Sequence, residues 1–251
     1  MATITDQALC IRQWDFSETS QTVSLLGRET GLFRAIAKGS RRPKSSFSGG
    51  IDLLTRGDVV AIIKPGRDLA TLTEWGLSRV WWSIRRDVDA NRTAYFMCDC
   101  ASRMLDLQDP HPGVFDGLVR GMDQLEEGEP RALILTRFLL LLLSDTGYRP
   151  RFESPEFSPD DEDPPESVLF SPTEGGIVAG DVVPGAWRVR TSTLRLLQGI
   201  QNDLPMDLDA PGQDVAAARG SRLLAAYLRE LLGSEPPTLS LVFPDLAGGR
   251  V

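Results

Sequence analysis

Short alternating apolar runs occupy the first third of the chain, and apolar residues at helical spacing occupy most of the remainder. Gln7 to Trp14 (QALCIRQW) is short and rich in Leu, Cys, Ile and Trp, the composition of a strand. Thr22 to Leu26 and Leu32 to Ala37 are two more such runs, and Arg28 to Gly31 between them supplies a turn, so together they predict a hairpin. Asp58 to Lys64 (DVVAIIK) and Asp68 to Trp75 (DLATLTEW) repeat the pattern around Pro65, Gly66 and Arg67. Five strands within about 75 residues predict a small closed or partly closed barrel. They are interrupted by Gly39 to Gly50, dense in Gly, Ser and Pro, which reads as a mobile loop.

The pattern changes after Trp75. Arg79 to Arg86 and Ala90 to Leu107 lack alternation and internal proline and read as helix, and Asp109-Pro110-His111-Pro112-Gly113 then breaks the chain. Val114 to Glu126 sets Phe115, Leu118, Met122 and Leu125 on one helical face, and Arg131 to Leu143 is dense enough in leucine to predict a helix buried on most sides. Gly147 to Gly185 follows neither period. Between Arg151 and Glu166 it holds seven acids against one arginine, and it reads as an acidic flexible insert at about 150–185. Helical spacing returns at Ser192 to Ile200 and Val215 to Leu232, and the final stretch reads as one short extended piece.

The 251 residues are 41% hydrophobic and 25% charged, enough for a sizeable core, which excludes a wholly disordered, collagenous or disulfide-built molecule. The longest apolar run, Phe138 to Leu143, is six residues, far short of a membrane span, and the N-terminus lacks the apolar stretch of a signal peptide. A cytoplasmic protein is the expectation. Cys10, Cys98 and Cys100 then read as free thiols of a reducing compartment, and the Cys98-Asp99-Cys100 spacing suits neither a redox pair nor a zinc knuckle. The only histidine, His111, lies between two prolines, and nucleophile, phosphate-loop and dinucleotide motifs are missing, so an enzyme is the weaker class and no cofactor is expected.

Net charge changes the picture because it is uneven. The chain carries −8, yet residues 1–100 hold 14 Lys or Arg against 11 Asp or Glu. Arg34, Lys38, Arg41, Arg42 and Lys44 succeed one another with no acid between them, among small residues that let backbone approach a phosphate, and Phe47 offers a ring for a base to stack on. Such a loop on a small barrel is where barrels of this type bind single strands; it also reads as a solvated segment made basic for solubility. Arg12, Lys64 and Arg67 are candidates to extend the same surface, and each also reads as an ordinary exposed barrel residue.

These blocks resemble the RecO family of bacterial recombination mediators. Asp15-Phe16-Ser17-Glu18 stands where that family tends to have Asp-Tyr-Gly-Glu, Ala37-Lys38-Gly39-Ser40-Arg41-Arg42-Pro43-Lys44-Ser45 is the most specific match, and Gly147-Tyr148-Arg149-Pro150, Phe170 to Gly176, Arg222 to Gly233 and Leu239 to Phe243 come after it in order. The resemblance implies an OB-fold, five-stranded barrel over 1–78 and an all-helical domain over 79–251. It implies a non-enzymatic, nucleoid-associated protein that binds and anneals single- and double-stranded DNA. Such a protein works with RecR and the C-terminal tail of the single-stranded-DNA-binding protein, and indirectly with RecA. The DNA-binding residues implied are Arg34, Lys38, Arg41, Arg42, Lys44 and Phe47. Arg188, Arg190, Leu194, Arg195 and Leu197 would meet the acidic tail, whose aromatic end wants a basic rim around an apolar hole. The family's two CxxC pairs are replaced by Arg151 to Glu156 and Ile177 to Asp181, which leaves a degenerate zinc-knuckle insert and no metal. The rival reading is an adaptor whose basic surface binds acidic protein tails.

Overall fold

A computed structural model describes residues 2–42, 45–47, 51–64, 66, 69–153, 164–205, 207 and 210–248. Two compact units make up the chain, Met1–Glu127 and Gly128–Val251.

In the first unit, β1 (Ala2–Asp15), β2 (Gln21–Gly27), β3 (Gly31–Ala37), β4 (Thr55–Ile63) and β5 (Leu69–Val80) form a closed barrel in the order β1-β2-β3-β5-β4. Every pairing is antiparallel except β3 with β5, where Arg34 to Ala37 run parallel to Leu69 to Leu72. Alternation produces the core: Ala8, Cys10, Val23, Leu25, Phe33, Ala35, Val59, Ala61, Leu72 and Trp75 face inward. The β2–β3 turn is fixed by Asp6, whose carboxylate accepts from the backbone N–H of Glu29 and Thr30 at 3.0 and 2.9 Å. Gly31 ends that turn at φ 74°, where a Cβ would lie 2.1 Å from the Asp109 carbonyl oxygen, so both its conformation and its space demand glycine.

Three helices complete this unit: α1 (Trp82–Arg86), α2 (Val88–Met104) and α3 (Pro112–Glu127). The Asp87 carboxylate caps α2 by accepting from the N–H of Asp89 and Ala90 at 2.8 and 3.0 Å. Arg79 and Val80, expected to begin a helix, instead finish β5, because Arg79 is held in register opposite Arg56 and Val80 opposite Thr55. The barrel therefore ends at Val80, and α2 and α3 pack against β1 and β2 within the same unit.

The second unit contains α4 (Arg131–Asp145), α5 (Thr191–Gln201), α6 (Gln213–Leu232) and α7 (Leu239–Val242). It is not all-helical. Ser167–Ser171, Gly176–Val178 and Trp187–Arg190 form an antiparallel sheet, β6, β7 and β8, in the order β7-β6-β8. The physical reason is apolar content that the surrounding acids obscure: Phe170 is fully buried and meets Phe152, Trp187 and Tyr227 with ring centroids 6.3, 6.0 and 5.4 Å away. The expected flexible insert is therefore ordered where it is described, and its acidic centre, 154–163, lies outside the described residues. Leu239 to Val242 form a helical turn where an extended piece was expected, with Leu239 fully buried. Among the described residues no helix is long and apolar enough to cross a membrane, and no cluster of three or more His, Cys, Asp or Glu is arranged to hold a metal ion.

Candidate nucleic-acid interface

The inward turn of Phe33, Ala35 and Ala37 leaves Arg34 on the outside of β3, and Lys38, just beyond the strand, is exposed as well. Lys64 is exposed at the end of β4, and Leu69, where β5 begins, pairs directly with Arg34. Arg34, Lys38, Lys64 and Arg42 make no side-chain ion pair or hydrogen bond among the described residues. Arg41 differs: its guanidinium meets the Asp15 carboxylate at 2.5 Å, with both groups exposed, an arrangement worth about 0–1 kcal/mol in water. Lys44 and Arg67, expected to belong to this surface, lie outside the described residues.

Gln21 anchors the base of the loop. Its side chain accepts from the Ser40 hydroxyl at 3.0 Å and from the Ile51 N–H at 3.1 Å, and donates to the Ile51 carbonyl at 3.0 Å. Ser40 is consequently fully buried. Further along, the Trp75 N–H donates to the Ser46 carbonyl at 3.2 Å, and the Ser46 hydroxyl donates to the Thr73 carbonyl at 2.9 Å. The described part of the loop is tied to the barrel, where a mobile segment was expected.

Phe47 does not stand where a base could reach it. Only 4% of it is exposed, because its ring packs into the barrel core, so the expected stacking face is absent. An isolated aromatic in a polar loop is a better anchor than platform. Arg12 is the second correction: it forms an ion pair with Asp99, a carboxylate only 5% exposed that also receives Arg103 at 3.0 Å. That pair joins β1 to α2, so Arg12 is committed to packing.

In the second unit, Leu194 and Leu197 are both fully buried and cannot meet a partner tail. Leu197 faces α6 so closely that a Cβ on Gly220 would lie 3.2 Å from it. Arg188 and Arg190 are exposed on β8 and line an open cavity of about 780 Å³; Arg195 is exposed on α5 but does not line it. No motif or spacing signalled the other wall, where α6 contributes Arg219, Arg222 and the buried Arg229 around Leu223 and Ala226. Arg222 is paired with Asp245 at 2.5 Å and Arg190 with Glu166, while Arg188 and Arg219 have no side-chain partner among the described residues. The buried hydroxyl of Thr193, also on the wall, lacks a hydrogen-bond partner among the described residues.

Similarity to known proteins falls into two consecutive parts that meet where the barrel ends. The family model for the N-terminal part of recombination protein O matches residues 1–80, and that for its C-terminal part matches residues 85–240. The DNA repair protein RecO of Rhodopirellula baltica is 30% identical over 222 residues, covering 84% of this chain and 82% of the relative. That of Anaeromyxobacter sp. strain K is 28% identical over 229 residues, covering 89% of each. That of Salinibacter ruber is 29% identical over 179 residues, covering 71% of this chain and 68% of the relative. With both parts matched in order across nearly the whole length, the chain belongs to the recombination protein O family of DNA repair proteins.

Proposed function

We propose that this chain is a recombinational repair mediator that acts by binding, not by catalysis. Its barrel is an OB-fold that holds DNA; the protein anneals strands and, with RecR, helps load RecA onto DNA coated by the single-stranded-DNA-binding protein. The observation that carries this reading is the group of exposed cations without carboxylate partners among the described residues, Arg34, Lys38, Arg42 and Lys64, on one barrel of a chain whose net charge is −8. Cations free of internal partners are available to phosphates, and the counterions they displace supply the favourable term. They read no base edges, so binding is independent of sequence. The acids of the second half keep the remainder of the molecule from wrapping DNA. A titration of a labelled oligonucleotide tests this: affinity falls steeply with rising salt, and affinity that is flat from low to moderate salt refutes it.

The cavity of the second unit supports the partner half of the proposal. Its apolar floor and arginine rim suit an acidic peptide ending in an aromatic residue, as the tail of the single-stranded-DNA-binding protein does. Arg188, Arg190, Arg219 and Arg222 then take the place of the buried leucines as contacts. The sheet of β6, β7 and β8 reads as the remnant of a zinc knuckle, held by the Phe170 cluster in place of metal. The pure adaptor reading, in which the barrel cations also serve protein tails, predicts that an acidic peptide competes with DNA for the barrel.

A further inference from the structure

A second cavity, about 390 Å³, opens at the foot of the basic loop on the first unit. Trp82 stands in its wall with 59% of its surface exposed, beside Leu77 at 46%. Leaving that much indole in water forfeits apolar burial, which a ligand recovers by covering the ring. The Arg85 guanidinium lies 6.0 Å from the ring centroid and also grips the Asp52 carboxylate at 2.8 Å and the Leu53 carbonyl at 2.8 Å, so the guanidinium beside the indole is set in place before anything binds.

Both cations of the cavity wall are already paired, Arg41 with a carboxylate that stands outside the lining. Arg85 faces Asp52, and Arg41 faces Asp15, so this is no seat for a phosphate. What it offers is a flat π-surface with hydrogen-bonding groups of both kinds around it: the Gln13 amide and the Asp52 carboxylate. A nucleobase presents that chemistry in return, with a π-face and an edge of donors and acceptors. The volume lies within the roughly 300–1,000 Å³ of small-ligand sites. Arg41 belongs both to the cavity wall and to the loop that carries Lys38 and Arg42, so a strand with its phosphates on the loop has its bases at the cavity mouth.

We propose that this cavity receives an unpaired nucleobase stacked on Trp82, and that Trp82 gives the protein its grip on single strands as distinct from duplex. The proposal rests on the reading of the barrel as DNA-binding. In a duplex the base faces are already stacked and unavailable, whereas every base of a single strand has one to offer.

The test compares the full-length protein with Trp82→Ala and Trp82→Phe, using oligothymidine, an abasic oligomer with the same number of phosphates, and a duplex. Trp82→Ala is expected to lose about tenfold in affinity for oligothymidine, the scale of one lost base stack. Trp82→Phe should recover most of it, and binding to the abasic oligomer and the duplex should change less than about twofold. The thermal midpoint is unchanged because the ring is exposed. Equal losses on all three probes, or no loss on any while the parent protein binds in a salt-dependent way, overturn the stacking proposal and leave the DNA-binding reading standing. A parent protein that binds none of the probes overturns both. An acidic peptide whose binding requires Trp82, with oligothymidine unaffected, assigns the cavity to a protein partner and refutes the base site.

Discussion

A Cβ placed on Gly57 would lie 2.7 Å from Cε2 and Cζ2 of Trp75, the largest side chain in the barrel core. Gly57 has no left-handed backbone, and a strand glycine replaced by alanine ordinarily gains stability through the unfolded chain. Here the clash decides the sign. Gly57→Ala is expected to destabilise the protein by about 1–3 kcal/mol, the usual cost of overpacking. Chemical denaturation checks this, and combining it with Trp75→Phe should restore part of the loss; a Gly57→Ala protein as stable as the parent would show that the indole has room to shift.

The barrel cations differ in commitment, which ranks their substitutions. Replacing Arg34, Lys38 and Arg42 together by alanine is expected to flatten the dependence of log affinity on log salt by roughly 2 for single strands, at about 0.7 per contact. Arg41→Ala, which leaves Asp15 unpaired, should weaken binding less steeply with salt. Salt titrations of both variants, with thermal midpoints alongside, distinguish a phosphate surface from a structural loop.

For the second unit, Arg188→Ala and Arg219→Ala are each expected to weaken an acidic peptide ending in phenylalanine several-fold, while Arg195→Ala, outside the cavity, has little effect. Fluorescence anisotropy of a labelled peptide measures this. Equal effects from all three would mean that the peptide senses only general charge.

Cys10, Cys98 and Cys100 are all buried, and burial pushes each thiol up, Cys98 to about 12 with Asp99 adding to the rise. The thiolate is the reactive form, so a thiol reagent at about pH 8 should leave the native protein unmodified and label all three cysteines after unfolding. Mass spectrometry before and after denaturation reads the result.

Asp116 is gripped by Arg28 through two hydrogen bonds of 3.0 and 2.8 Å, which hold its carboxyl below the ordinary 3.8. A carboxyl lowered in the folded state contributes stability that is complete above about pH 4 and is lost as pH falls through the folded value. Asp116→Asn is therefore expected to make stability less sensitive to acid below about pH 4, by a small amount because the pair is largely in water. Acid titrations of unfolding midpoints compare the two proteins.

The five strands, the major helices and the concentration of cations before Ser45 were legible in the amino-acid pattern, because period-two alternation, helical spacing and charge are local properties of the chain. Arg34 and Lys38 could be identified for the same reason: neighbours that turn inward force them out. The rest depended on tertiary packing. Phe47 packs into the barrel core, and the Arg12 guanidinium is taken up by the buried carboxylate of Asp99, a residue remote in sequence. Apolar residues scattered among acids became a sheet only once Phe170 found Phe152, Trp187 and Tyr227. Both cavities draw their walls from separate elements: Arg188 of β8 and Arg219 of α6 line one, and Gln13 of β1 and Trp82 of α1 line the other. No period or spacing encodes such meetings, since they follow from how burial packs one element on another.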